Sequence, residues 1–138
     1  MTISFDNETI RLITLFENIT GAPVKDCLVD DKTIYYVVEK GTVGMAIGKE
    51  GSSVKSAEKI IGKSIKVFEF SSDVSEFVRK LIPQALEISI KNQSEKTIVE
   101  VKVEKQAKAI IIGREGKNLK ILKEIIQRCS NVDNVLVK

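Results

Sequence analysis

Ile47-Gly48-Lys49-Glu50-Gly51 and Ile112-Gly113-Arg114-Glu115-Gly116 are two copies of one phrase, and they decide how the rest of the chain is read. Gly48 and Gly113 stand 65 positions apart, and matching flanks follow each loop, Val54-Lys55 and Leu119-Lys120. A lone Gly-x-x-Gly is usually just a turn. Two in register with matching flanks indicate a duplicated module. The register extends outward: the β-branched run 33–38 falls on 98–103, and Ile60-Ile61 falls on Ile125-Ile126.

Pattern and punctuation predict the same element order twice. Helical spacing of Ile10, Ile13, Phe16 and Ile19 predicts a helix over 6–19, stopped by Gly21 and Pro23. Strands are expected over 24–29 and 33–38 around the acidic turn Asp30-Asp31. A short helix then leads into Gly48, and another runs over 52–61 with Val54, Ala57, Ile60 and Ile61 inward. A strand over 64–70 closes the unit. In the second half Asp73 and Glu76 have capping-box spacing ahead of the stripe Val74, Phe77, Val78 and Leu81. Strands over 86–90 and 97–103 follow, then a helix into Gly113. A last helix over 117–128, with Leu119, Leu122, Ile125 and Ile126 inward, precedes a strand over 134–137. The expected division is 1–71 and 72–138. Each half is too small for a large core, so the two are expected to pack together.

Charge is distributed unevenly. The chain of 138 residues carries a net +3, yet residues 48–63 hold four basic and two acidic side chains and residues 113–128 hold five and two. Positive charge therefore gathers on the glycine loops and the helices they open, as on a phosphate-binding face. A helix start presents unsatisfied N–H groups and the positive end of the dipole. Glycines at both ends of the loop let a sugar-phosphate backbone approach without interference from Cβ. Lys49 and Arg114 share one loop position and can pair with a phosphate; Lys55, Lys117 and Lys120 lie just beyond. Ile47 and Val54, or Ile112 and Leu119, offer one wall of a groove for bases. Glu50 and Glu115 are mildly repulsive to phosphate and are expected to point to solvent.

Ile-Gly-x-x-Gly-x-x-(Val/Leu)-Lys, preceded by a strand and a short helix, resembles the KH signature in both copies. After Gly116 only 22 residues remain. That suits the prokaryotic-type (type II) order α-β-β-α-α-β, an α+β fold with a three-stranded sheet packed by helices. A tandem type II pair resembles the archaeal NusA-like transcription factors. The resemblance implies a cytoplasmic protein that binds single-stranded RNA, with nascent transcript as ligand and RNA polymerase or the ribosome as candidate partner. It carries the RNA-binding role onto residues 47–51, Val54 and Lys55, and onto 112–117, Leu119 and Lys120. No room is expected for the polymerase-binding and S1 domains of bacterial NusA, so polymerase contact does not carry over. A ribosome-associated or RNA-processing KH protein, or a protein-interaction module on a KH scaffold, are the alternatives.

Other chemistries fit poorly. The chain has no histidine, which removes His-based triads, general bases and metal ligands. Gly62-Lys63-Ser64 imitates the end of a P-loop, but Ala57 stands where the upstream glycine is required. A dinucleotide fingerprint fails at Ala46 and Ile111. No enzyme activity, cofactor, metal or membrane partner is expected. Cys27 and Cys129 form no Cys-x-x-Cys pair and read as buried free thiols, with a disulfide or metal site as the alternative. Tyr35 and Tyr36 read as packing residues before base-stacking ones.

Overall fold

In the computed structural model, which describes residues 7–138, the first helix, α1, spans Asn7–Thr20. Asp6, expected in that helix, lies outside the described residues. Gly21 adopts a positive φ and its N–H caps Glu17 O at 2.7 Å, so the chain turns directly into the hairpin β1 (Val24–Val29) and β2 (Thr33–Val38). Helix α2 (Val43–Ile47) enters the first glycine loop, α3 (Ser52–Ile61) leaves it, and β3 (Ser64–Glu69) completes the sheet. The order repeats as α4 (Val74–Leu81), β4 (Glu87–Gln93), β5 (Lys96–Lys102), α5 (Lys105–Ile112), α6 (Lys117–Cys129) and β6 (Asn134–Val137). The chain divides into two compact units, Met1–Ser71 and Ser72–Lys138.

Both sheets have the same topology. The middle strand pairs antiparallel with its hairpin partner and parallel with the last strand, giving orders β1-β2-β3 and β4-β5-β6. The parallel pairing follows from sequence order, since the two helices and their glycine loop form the crossover that a parallel neighbour needs. This is an α+β fold of two three-stranded sheets, each packed by helices.

Alternation along β2 sends Ile34, Tyr36 and Val38 into the first core, where they meet Phe16, Ala46, Ala57 and Ile65. Tyr36 stacks on Phe16, with centroids 4.0 Å apart, and its hydroxyl donates to Leu12 O at 2.9 Å, so its one polar atom is satisfied. In the second unit Phe77, Val78, Val99, Val101, Ile125 and Ile126 are buried. Burying side chains of this size stabilises by about 1.5–3 kcal/mol each. Asp73 caps α4 by accepting from Glu76 N at 3.2 Å, an interaction worth about 1 kcal/mol.

Four expectations are corrected. Ile60 is 62% exposed, not inward. Val54, Ala57 and Ile61 share one stripe of α3 at i, i+3 and i+7, and Ile60 lies about 90° from its centre. Strand β4 reaches Gln93 where it was expected to end at residue 90, and the hairpin turns on Ser94 and Glu95, both at positive φ. That is the pattern of a two-residue primed turn, whose usual Asn-Gly signal is missing here. Strand β3 stops at Glu69, though Phe70 N still donates to Val38 O at 2.8 Å. Cys129 is only partly buried, whereas Cys27 is buried as expected, and neither is joined in a disulfide.

Candidate nucleic-acid interface

Each glycine loop joins two helices that pack on one another, α2 with α3 and α5 with α6. The two loops agree torsion by torsion. Gly48 has φ 79°, ψ 173° and Gly113 has φ 74°, ψ −179°. This region is open essentially to glycine alone. Gly51 and Gly116 take ordinary left-handed angles, φ 77°, ψ 14° and φ 73°, ψ 11°. Between them Glu50 and Glu115 also sit left-handed, at φ 55° and 57°. For a non-glycine residue this conformation costs about 1–2 kcal/mol. Hydrogen bonds close both loops alike: Gly51 N donates to Gly48 O at 3.1 Å and Gly116 N to Gly113 O at 3.2 Å.

The first glycine of each pair is required twice over. A Cβ on Gly48 would lie 2.7 Å from Ser53 N, and a Cβ on Gly113 would lie 2.8 Å from Asn118 Cγ. Ser53 and Asn118 are equivalent under the 65-residue offset. Asn118 also ties the loop across itself, donating from Nδ2 to Ile110 O at 3.2 Å. At the second glycines there is room: Gly116 has nothing within 4 Å of a Cβ, and Gly51 only ordinary contacts.

Lys49, Glu50, Arg114 and Glu115 are all exposed. Among the residues beyond the loops, Lys55, Lys117 and Lys120 are exposed, and Val54 and Leu119 are half-buried on the inner sides of α3 and α6. Ile47 is 39% exposed and Ile112 is half-buried. Each unit thus brings together two glycines, a basic side chain at the loop's tip, an apolar flank and a helix N-terminus. The helix starts supply partial positive charge, and the loops leave open backbone where an anionic chain can lie.

Two exposed apolar residues escaped the sequence reading. Met45 is 53% exposed on α2 and Ile110 is 68% exposed on α5. They are offset equivalents three residues ahead of the first glycine. The repeat register could have found them, but the two short helices were expected only as leads into the glycines, with no face assigned to either residue. Tyr35 and Tyr36 are buried, Tyr35 lying parallel to Phe68 with centroids 6.4 Å apart. No three or more Cys, Asp or Glu side chains gather as a metal site among the described residues. No helix there is long and apolar enough to cross a membrane.

A three-stranded sheet in α-β-β-α-α-β order, with Gly-x-x-Gly between its two consecutive helices, defines a KH-type module. The family model described as "KH domain" matches residues 11–82, and that described as "KhpA/KhpB, KH domain" matches residues 71–138. The probable transcription termination protein NusA of Methanococcus vannielii is 38% identical over 99% of this chain and 80% of its own length. The Halobacterium salinarum protein of the same name is 34% identical over 98% of each. The crystal structure of APE1850 is similar with a TM-score of 0.79 and 30% identity, covering 97% of this chain and all of that one. The chain belongs to the KH-domain family, among the archaeal NusA-like proteins.

Proposed function

We propose that this chain binds single-stranded RNA through both glycine loops, as a non-catalytic, cytoplasmic NusA-like factor that acts on nascent transcripts in elongation or termination. Each unit, 1–71 and 72–138, serves as one KH domain. Its loop clamps about four nucleotides of backbone. Residues 48–51 and 113–116 take the phosphates, with Lys49 and Arg114 as the charged contacts and Lys55, Lys117 and Lys120 reinforcing them. Ile47, Val54, Ile112 and Leu119 form the apolar side on which bases rest. Two clamps on one chain raise affinity for a longer strand through effective concentration.

The observation that carries this reading is the torsional identity of the two loops, each keeping a left-handed glutamate between its glycines. A merely structural turn has no need to retain that strain twice. Relatives named for transcription termination support the transcriptional setting and make RNA polymerase, rather than the ribosome, the partner to test.

Fluorescence anisotropy with single-stranded RNA tests the clamp. Lys49→Asp and Arg114→Asp should each weaken binding, and the double variant should lose most of it. The salt dependence should have a slope near −0.7 per phosphate contact. A flat salt response, or a double variant that binds like the unmodified chain, rules the clamp out. RNA crosslinked in cells should be enriched in nascent transcripts; enrichment in ribosomal RNA would move the protein to ribosome work.

A further inference from the structure

The two clamps are not equal copies, and the difference lies in the helix before each loop. Helix α5 has eight residues and α2 has five. At 1.5 Å per residue, α5 extends about 12 Å back from its loop and α2 only about 7.5 Å. Lys105, Lys108 and Ile112 stand at i, i+3 and i+7 of α5, so they form a single stripe that runs into Gly113. Ala109 lies in the same stripe and is exposed. Its small side chain leaves the surface open between the lysines and the loop. Lys105 is exposed and Lys108 half-buried, and a lysine so placed can pack its stem while its ammonium stays in water.

The 65-residue offset shows what the first unit has instead. Lys105 corresponds to Lys40, which precedes α2, and Lys108 corresponds to Val43, which packs against the first core. The equivalent stripe on α2 is therefore Val43, Gly44 and Ile47, without a cation. The loops differ in the same direction. Arg114 offers a planar fork that can take two oxygens of one phosphate, where Lys49 offers a point charge. Asn118 braces the second loop by its bond to Ile110 O, so less order has to be imposed when a ligand arrives.

Building on the RNA-clamp reading, we infer that the second unit is the principal clamp, and that Lys105 and Lys108 extend its phosphate track along α5 beyond the four loop residues. The strand lies over Ala109 on its way into the loop. The first unit, whose approach helix is shorter and carries no lysine, holds the same strand more loosely.

The test uses the whole chain and fluorescence anisotropy over a salt series. The probes are single-stranded RNA of about four nucleotides, the span of one clamp, and of about ten. Lys105→Gln/Lys108→Gln should weaken binding of the longer RNA several-fold and leave the shorter nearly unchanged. Its salt slope should be shallower by about 1.4, or ~0.7 for each lost contact. Lys32→Gln/Lys96→Gln removes the same charge beside the two hairpin turns and should change neither quantity appreciably. Unchanged melting temperatures confirm that both variants are folded. If the α5 pair binds the longer RNA with full affinity and slope while Arg114→Asp does not, the track is wrong and the clamp stands. Equal losses in the α5 and hairpin pairs would mean that only net charge matters, which also overturns the track. If the unmodified chain binds neither RNA, the clamp and the track fall together.

Discussion

Asn118 fills the space that a side chain on Gly113 would need: a Cβ there would sit 2.8 Å from its Cγ and 2.8 Å from its Nδ2. The same relation links Ser53 to Gly48 in the other unit. In both loops the first glycine is held by a neighbour five residues on, while the second is glycine for its torsion alone.

Substitutions at the two glycines should therefore differ. Gly113→Ala meets both a collision and a backbone region closed to alanine, and should destabilise the second unit by about 1–3 kcal/mol. Gly116→Asn enters open space at a left-handed position that asparagine tolerates, and should cost less than about 1 kcal/mol. Urea denaturation of the two variants measures the difference. Equal costs would show that the Asn118 contact is unimportant.

Met45 and Ile110 are large apolar residues left in water beside the loops. Met45→Ser and Ile110→Ser should leave stability within about 0.5 kcal/mol, as surface changes do. Both should weaken RNA binding in the anisotropy titration, because they remove apolar surface next to the bases. A lowered melting temperature with unchanged binding would give them a structural role instead.

Tyr36 links the first sheet to α1 by its hydroxyl and its stacked ring. Burial first, and the neighbouring Cys27 second, push its pKa well above the ordinary 10.0. The fold thus favours the neutral phenol. That contribution is complete below pH 10.0 and is lost as pH rises toward the raised value. Tyr36→Phe should cost about 1 kcal/mol at neutral pH through the lost hydrogen bond. The two stability curves should converge in strong alkali, read by thermal denaturation against pH.

Glu100 lies between Lys138 and Lys91 on the second sheet, 2.6 Å from Lys91 Nζ. The hydrogen bond from Lys138, followed by that from Lys91, holds its pKa below the ordinary 4.5. The ionised form is the one the fold prefers, so its contribution is present above pH 4.5 and fades as pH falls through the lowered value. Glu100→Gln should melt at a lower temperature than the unmodified chain at pH 7, with the gap closing in acid. A gap that stays constant as the pH falls would locate the effect outside this ionisation.

The same register position carries different chemistry in the two sheets. Tyr35 is the offset equivalent of Glu100, and it lies parallel to Phe68 with the ammonium of Lys66 5.9 Å from its ring centroid. Where one sheet uses rings, the other uses an ion-paired carboxylate. Such exchange explains why the repeat is legible in pattern and not in identity: strand pairing constrains which face a residue occupies, and different side chains can satisfy one position.

The sequence by itself determined the element order, the repeat and the loops. Period-2 and period-3.6 patterns, the Asp73 cap and the Gly-x-x-Gly spacing are local, and local signals survive in a linear chain. It also identified Lys49 and Arg114 as the loops' cations. Only the tertiary structure decided which apolar residues face water: Ile60 belongs to a helical pattern that looks inward until neighbouring elements set the core direction, and the exposed faces of the short helices that carry Met45 and Ile110 emerge only from the packing. It likewise assigned different reasons to the two glycines of each loop. Torsions and the approach of Ser53 or Asn118 arise only when two helices fold against each other, and no spacing in the sequence encodes a distance across that turn.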